Sequence, residues 1–136
     1  IGFKKYIAHK KASFKIADLA LAASGTVSLE LAANNTPMVI GYDMNYFSRQ
    51  MIQFMMKTDT VTLVNLITGN RNIPECIGAD FNSEKLFLEM VRVFSNNKNQ
   101  IKDFKTTMDL LGKNDKDPNV RAANSLIKFY NKFKAV

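Results

Sequence analysis

The sequence predicts an α/β fold: a parallel sheet flanked by helices on both faces, followed by C-terminal helices. Three observations predict it. Short solid apolar runs, "LALAAS" (19–24) and "PMVIGY" (37–42), alternate with segments of helical period. Turn residues separate them, at Ser24-Gly25-Thr26 and at Asn34-Asn35 ahead of Pro37. The chain, with 136 residues of which 46% are hydrophobic, is long enough for one domain with a real core.

Taken in order, "KKYIAH" (4–9) reads as a short strand and "KKASFKIAD" (10–18) as a short helix. "LALAAS" is a buried strand, and "TVSLELAANN" (26–35) a helix that stops ahead of Pro37. "PMVIGY" is a second strand, ended by Gly41. "MNYFSRQMIQFMMK" (44–57) is helical, with Phe47, Met51, Phe54 and Met55 on one stripe. "TVTLV" (60–64) is the expected third strand and "NLITGNRN" (65–72) a polar loop. Pro74 is expected to open a short apolar helix bearing Cys76. Asn82 caps a longer helix through "SEKLFLEMVRVFSN" (83–96). "NQIKDFKTTMDLL" (99–111) sets Ile101, Phe104, Met108 and Leu111 on one face and ends at Gly112. The last helix starts with Asp117 at its cap and Pro118 in its first turn. Its wide apolar face holds Leu126, Ile127, Phe129, Tyr130 and Phe133.

Charge and composition narrow the function classes. The net charge of +7 is concentrated at the ends: residues 1–15 hold five Lys and no acid, and residues 98–136 nine basic against four acidic residues. Such a periphery suits an anionic surface such as lipid or nucleic acid, and equally a solvated face. No apolar run approaches the length needed to cross a bilayer, and no secretory leader is read. The single cysteine excludes an internal disulfide and fits a reducing compartment. The chain begins with Ile1, so it is expected to be processed or part of something longer.

Ser24-Gly25-Thr26 falls where a buried strand turns into a helix. In a doubly wound sheet, ligands sit beyond the carboxyl ends of the strands. A helix N-terminus there offers unpaired N–H groups and partial positive charge, both suited to a diphosphate. Gly25 lets the backbone approach closely, the Ser24 and Thr26 hydroxyls add donors, and Glu30 can accept from ribose hydroxyls. The structural alternative has Thr26 as the helix cap and Glu30 favouring the positive end of the dipole.

The surroundings extend this pattern. S-G-T-x-x-L-E (24–30), P-M-V-x-G-Y (37–42), K-T-D (57–59) and N-L-I (65–67) follow in order between Ala17 and Leu86. In these motifs the chain resembles the lipid-A-disaccharide synthases, bacterial glycosyltransferases with two Rossmann-like domains in the GT-B architecture. It departs at Asn70, where a basic residue is expected and Arg71 stands next door, and at Gly78, where the family often has glutamine.

The resemblance implies a Rossmann-like sheet from the C-terminal half of a GT-B fold. Residues 1–97 would be a partial nucleotide-sugar-binding domain and 98–136 a helical extension of the same domain. It implies a transferase that moves 2,3-diacylglucosamine from UDP-2,3-diacylglucosamine to 2,3-diacylglucosamine 1-phosphate by a β-1,6 bond, releasing UDP. Ser24, Gly25 and Thr26 would then face the diphosphate and Glu30 the ribose. Tyr42, Asn65 and Arg71 would lie near the donor sugar or its phosphate, Asn65 at the mouth of the third strand. The family's catalytic base belongs to the N-terminal domain and has no counterpart here, so this stretch is expected to bind UDP and not to turn over alone. No cofactor or metal is implied. The location implied is cytoplasmic, peripheral to the inner membrane, without nucleic acid as partner. In this architecture the last helix commonly packs on the N-terminal domain. Here it is expected to dock on a second copy, as a homodimer, with fold-back as the competitor.

Other constellations have plainer readings. Asp115-Lys116-Asp117 spells a D-x-D metal motif but sits between two helices, where Asp117 serves as a cap. His9 and Cys76 are alone of their kinds and cannot make a zinc site of the usual count. The Met/Phe stripe of 44–56 suits burial, or else acyl chains or a membrane. The rival classes are a GT-B transferase of another sugar nucleotide and a basic nucleic-acid-binding module. The last explains the charge but not the strand–SGT–helix arrangement.

Overall fold

The computed structural model describes residues 10–23, 25–43, 59–113 and 118–134. Helix α1 (Lys10–Ile16) leads into β1 (Ala20–Ala22), and α2 (Thr26–Ala33) crosses over to β2 (Met38–Tyr42). The two strands are parallel, with Ala20 opposite Met38 and Ala22 opposite Ile40. The apolar run of β2 is continuous because the sheet is covered on both faces. Met38 and Ile40 join Leu31, Val64, Ile73 and Phe104 in one cluster, and Val39 joins Cys76 and Val93 in the other. At the end of α2, Asn35 takes a left-handed conformation (φ 57°), and the Thr36 hydroxyl donates to the Phe14 carbonyl at 2.5 Å. That bond ties α1 to the start of β2.

The third strand lies fifteen residues beyond the predicted start. "TVTLV" is no strand: α3 (Leu63–Thr68) begins inside it. The run is β-branched, which reads as strand, but Val64 and Asn65 are buried and Ile67 and Thr68 half-buried, a helical spacing. The helix stops at Gly69, whose φ of 73° suits glycine. Nor does Pro74 open a helix. It precedes β3 (Glu75–Ile77), which pairs in parallel with β2, Ile40 opposite Glu75 and Tyr42 opposite Ile77, in the order β1-β2-β3. Proline's fixed φ suits an extended start as well as a helical one, and the Pro74 carbonyl accepts from the Ile40 N–H at 2.9 Å. Cys76 is therefore a core residue of a strand, and burial raises its thiol pKa.

A 3-10 turn at Gly78–Asp80 leads to α4 (Ser83–Ser95). Asn82 caps it as predicted, its Oδ1 accepting from the Lys85 N–H at 2.9 Å. Leu86, Met90 and Val93 turn inward onto the second cluster. Gly41 leaves room on this side: a Cβ there would crowd the side chains of Leu86, Phe81 and Leu21 at 3.0–3.1 Å, and they would have to shift.

Helix α5 (Lys98–Leu110) covers the other face together with α2 and α3. Ile101, Phe104 and Met108 face inward as the spacing predicts, whereas Leu111 lies past the helix end and is exposed. Gln100 fastens α5 to the sheet: its Oε1 accepts from Met38 N–H, and its Nε2 donates to the carbonyls of Met38 and Asn72, at 3.0–3.1 Å. Helix α6 (Pro118–Lys134) does not fold back on the rest of the described chain: Leu126, Ile127, Phe129, Tyr130 and Phe133 are all exposed. The expected strand at 4–9, the Met/Phe helix at 44–57, His9 and Asp115-Lys116-Asp117 lie outside the described residues.

Candidate functional site

The carboxyl edge of the sheet is built by the ends of β1, β2 and β3. After β1 the chain turns through Gly25, which has φ 104° and ψ −152°, a backbone region that glycine alone adopts without strain. Gly25 is also the N-cap of α2, and no side chain caps that helix. Thr26 is thus the first helical residue and not the cap that the structural alternative assumed. The Ser28 N–H and hydroxyl both turn to the Gly25 carbonyl, at 3.2 and 2.8 Å. Those bonds close the turn and leave the first N–H groups of α2 without intrahelical partners, with the positive end of the helix dipole beyond them. Among the described residues, nothing lies within 4 Å of an ideal Cβ at Gly25, so none of them closes over the turn.

Thr26 is exposed, and Glu30 follows one turn later on the same side, half-buried. Tyr42 ends β2 at this same edge and is exposed. Gly25, Thr26, Glu30 and Tyr42 therefore share one end of the α/β unit. Ser24, the other predicted diphosphate contact, lies outside the described residues.

Asn65 and Arg71 are placed elsewhere. Because 60–64 is not a strand, Asn65 stands at no strand mouth. It is buried on α3, where its Nδ2 donates to the Ile73 carbonyl at 2.9 Å and its Oδ1 accepts from the Ile73 N–H at 3.1 Å. Arg71 precedes β3 and so belongs to the amino edge. It lines a cavity of about 300 Å3 with Asn72, Arg92 and Gln100 and pairs with Asp59. The guanidinium hydrogen bond holds the Asp59 carboxyl below its ordinary range.

A residue the sequence reading passed over organises this region. The Glu75 carboxylate accepts from the Thr60 hydroxyl at 2.5 Å, from the N–H groups of Val61 and Thr62 at 3.3 and 2.8 Å, and from Asn65 Nδ2 at 3.3 Å. No local signal marked it, because its partners lie ten to fifteen residues earlier in the chain. Among the described residues, no group of His, Cys, Asp and Glu could hold a metal ion, and no helix is long and apolar enough to cross a membrane.

A parallel sheet with a glycine turn and a helix N-terminus at its carboxyl edge defines the Rossmann-like class of nucleotide-binding α/β units. Within that class, residues 4–128 match the lipid-A-disaccharide synthetase family, and the chain belongs to it. It is 44% identical over 118 residues to the lipid-A-disaccharide synthase of Ruegeria pomeroyi, covering 87% of this chain and 29% of that protein. With the Bradyrhizobium diazoefficiens enzyme of that name it shares 33% over 123 residues, 88% of this chain and 31% of the relative. With the Rickettsia bellii enzyme it shares 47% over 72 residues, 53% of this chain and 18% of the relative. The chain thus spans under a third of the length of these curated relatives.

Proposed function

We propose that this chain is the UDP-binding portion of a glycosyltransferase that makes the lipid A disaccharide. It would use UDP-2,3-diacylglucosamine as donor and 2,3-diacylglucosamine 1-phosphate as acceptor. The observation that carries the reading is the Gly25 turn, which opens α2 at the carboxyl edge inside the S-G-T-x-x-L-E motif. In this reading the free N–H groups of α2, with the hydroxyls of Ser24 and Thr26, hold the diphosphate, and Glu30 accepts from the ribose. Such donors also stabilise the charge that develops on departing UDP. Tyr42 borders the sugar. Asn65 supports by holding Ile73 and Glu75 in place, and Arg71 is left out of the nucleotide site. No residue here is assigned as the base on the acceptor hydroxyl. Helix α5 acts as one unit with the sheet, since it supplies Phe104 and Met108 to the core, and α6 extends from it.

The same reading sets the protein on the cytoplasmic face of a membrane, where diacylated substrates reside. It also assigns the exposed apolar face of α6 to a second copy in a homodimer. The test is UDP titration of the labelled 136-residue chain. Chemical shifts at Gly25–Val27 should move, and Glu30→Ala should weaken UDP more than pyrophosphate, which has no ribose. Shifts clustered away from the α2 N-terminus sink the assignment. Incubated with both diacylated substrates, the isolated chain should give no disaccharide. Sedimentation of the intact chain against one cut after Asp115 tests the dimer, and a monomer in both refutes it.

A further inference from the structure

Helix α5 carries its charges in the order that its own dipole disfavours. Lys98 opens it, its first turn holds no acid, and its last turn holds no basic residue. Lys102 and Lys105 follow at spacings of four and three, which bring all three ammonium groups onto one side. Each of the three is exposed, and none is in an ion pair among the described residues. A helix arranged for its own stability would place acids at this end.

These lysines line an open groove of about 560 Å3 at the C-terminal end of α2, beside Asn35, with Ile101 and Met108 as its apolar lining and Asp109 as its one carboxylate against four lysines. Lys113, on the same groove, has a structural use, because its Nζ donates to the Ala33 carbonyl at 2.5 Å. Lys98, Lys102 and Lys105 have none. From first to last they span seven residues, about 10 Å of helix, wider than one phosphate group. The lining has neither an arginine nor an aromatic ring, the groups that read and stack on nucleic-acid bases. Exposed lysines beside apolar lining residues suit a bed of lipid headgroups.

We propose that this groove is the face by which the protein docks on an anionic phospholipid surface, with the ammonium groups of Lys98, Lys102 and Lys105 on headgroup phosphates. The assignment rests on the reading above that the protein works at a membrane, and it names the surface that does so. The groove sits at the opposite end of α2 from Gly25, about 12 Å away along the helix, so docking there leaves the nucleotide end open to water.

The experiment is flotation of the full 136-residue chain with vesicles of equal parts phosphatidylglycerol and phosphatidylcholine, and with vesicles of phosphatidylcholine alone. Lys102→Gln with Lys105→Gln is compared with Lys128→Gln with Lys132→Gln, exposed lysines of α6 that remove the same charge. Circular dichroism checks that both pairs fold. Near an anionic surface each lysine contributes about fivefold in affinity, so the α5 pair should lose roughly 25-fold while the α6 pair changes little. Equal loss in both pairs reduces the attraction to net charge and overturns the groove. Unchanged binding of the α5 pair, with the intact chain bound, overturns the groove but leaves the membrane reading standing. No binding of the intact chain to either vesicle removes both. Retention of duplex DNA through Lys102 and Lys105, with vesicles unaffected by their loss, reassigns the groove to nucleic acid and refutes the proposal. The UDP titration is read separately at Gly25–Val27.

Discussion

Gly25→Ala isolates the backbone of the nucleotide turn from everything around it. At φ 104° and ψ −152°, an L-residue is strained by about 1–3 kcal/mol. The added methyl would touch none of the described residues, since none has an atom within 4 Å of an ideal Cβ. The whole cost is therefore conformational, and the turn has two ways to meet it. It can keep its shape and lose about 1–3 kcal/mol of stability, or it can relax and withdraw the Gly25 carbonyl from Ser28. Urea unfolding separates these outcomes when combined with UDP titration. A strained but intact turn lowers the midpoint and keeps the shifts at Thr26 and Val27. A relaxed turn keeps more stability and loses the UDP response. A variant within about 0.5 kcal/mol of the parent, as for an ordinary surface change, and with unaltered UDP shifts would falsify the claim that the glycine sets the site.

Two further outcomes follow from the geometry. Glu75→Gln replaces one acceptor oxygen by a donor in front of four donors, and should lower stability by about 1.5–3 kcal/mol, the range for hydrogen bonds to a charged group, read by urea unfolding; an unchanged midpoint would mean that 60–65 is held by other contacts. The Asp59 carboxyl, depressed by Arg71, contributes stability above its unfolded pKa that is lost as pH falls through its folded pKa. A carboxyl-detected NMR titration should therefore show Asp59 returning upward to the ordinary range in Arg71→Gln, and an identical titration in both proteins refutes the pairing.

The β1–α2–β2 unit was legible because each of its signals agreed: solid apolar runs, a glycine turn, an asparagine stop and a following proline. The Asn82 cap and the inner face of α5 were legible for the same reason. What failed was decided by distant partners. Thr60-Val61-Thr62 has the composition of a strand, but its donors are taken by a carboxylate thirteen to fifteen residues later. No local pattern records that, and misplacing the strand moved Asn65 to an edge it does not occupy. Pro74 misled because its φ serves a helix start and a strand start alike. Of the candidate site, the α2 end could be read from residue types alone. Arg71 could not, since its position depends on which segment became the third strand.

The Gln100 clamp bears on how the chain comes off the ribosome. Met38 and Gln100 are 62 residues apart, and that side chain closes the amide of Met38. At ordinary rates of synthesis, the delay between the two residues is about 3–12 s. Through that interval β1 and β2 can pair, but the start of β2 stays open and its apolar cluster lacks Phe104. A nascent chain paused before α5 thus has that face covered by α2 and α3 alone, without Phe104 and Met108, the kind of incompletely packed species that chaperones hold.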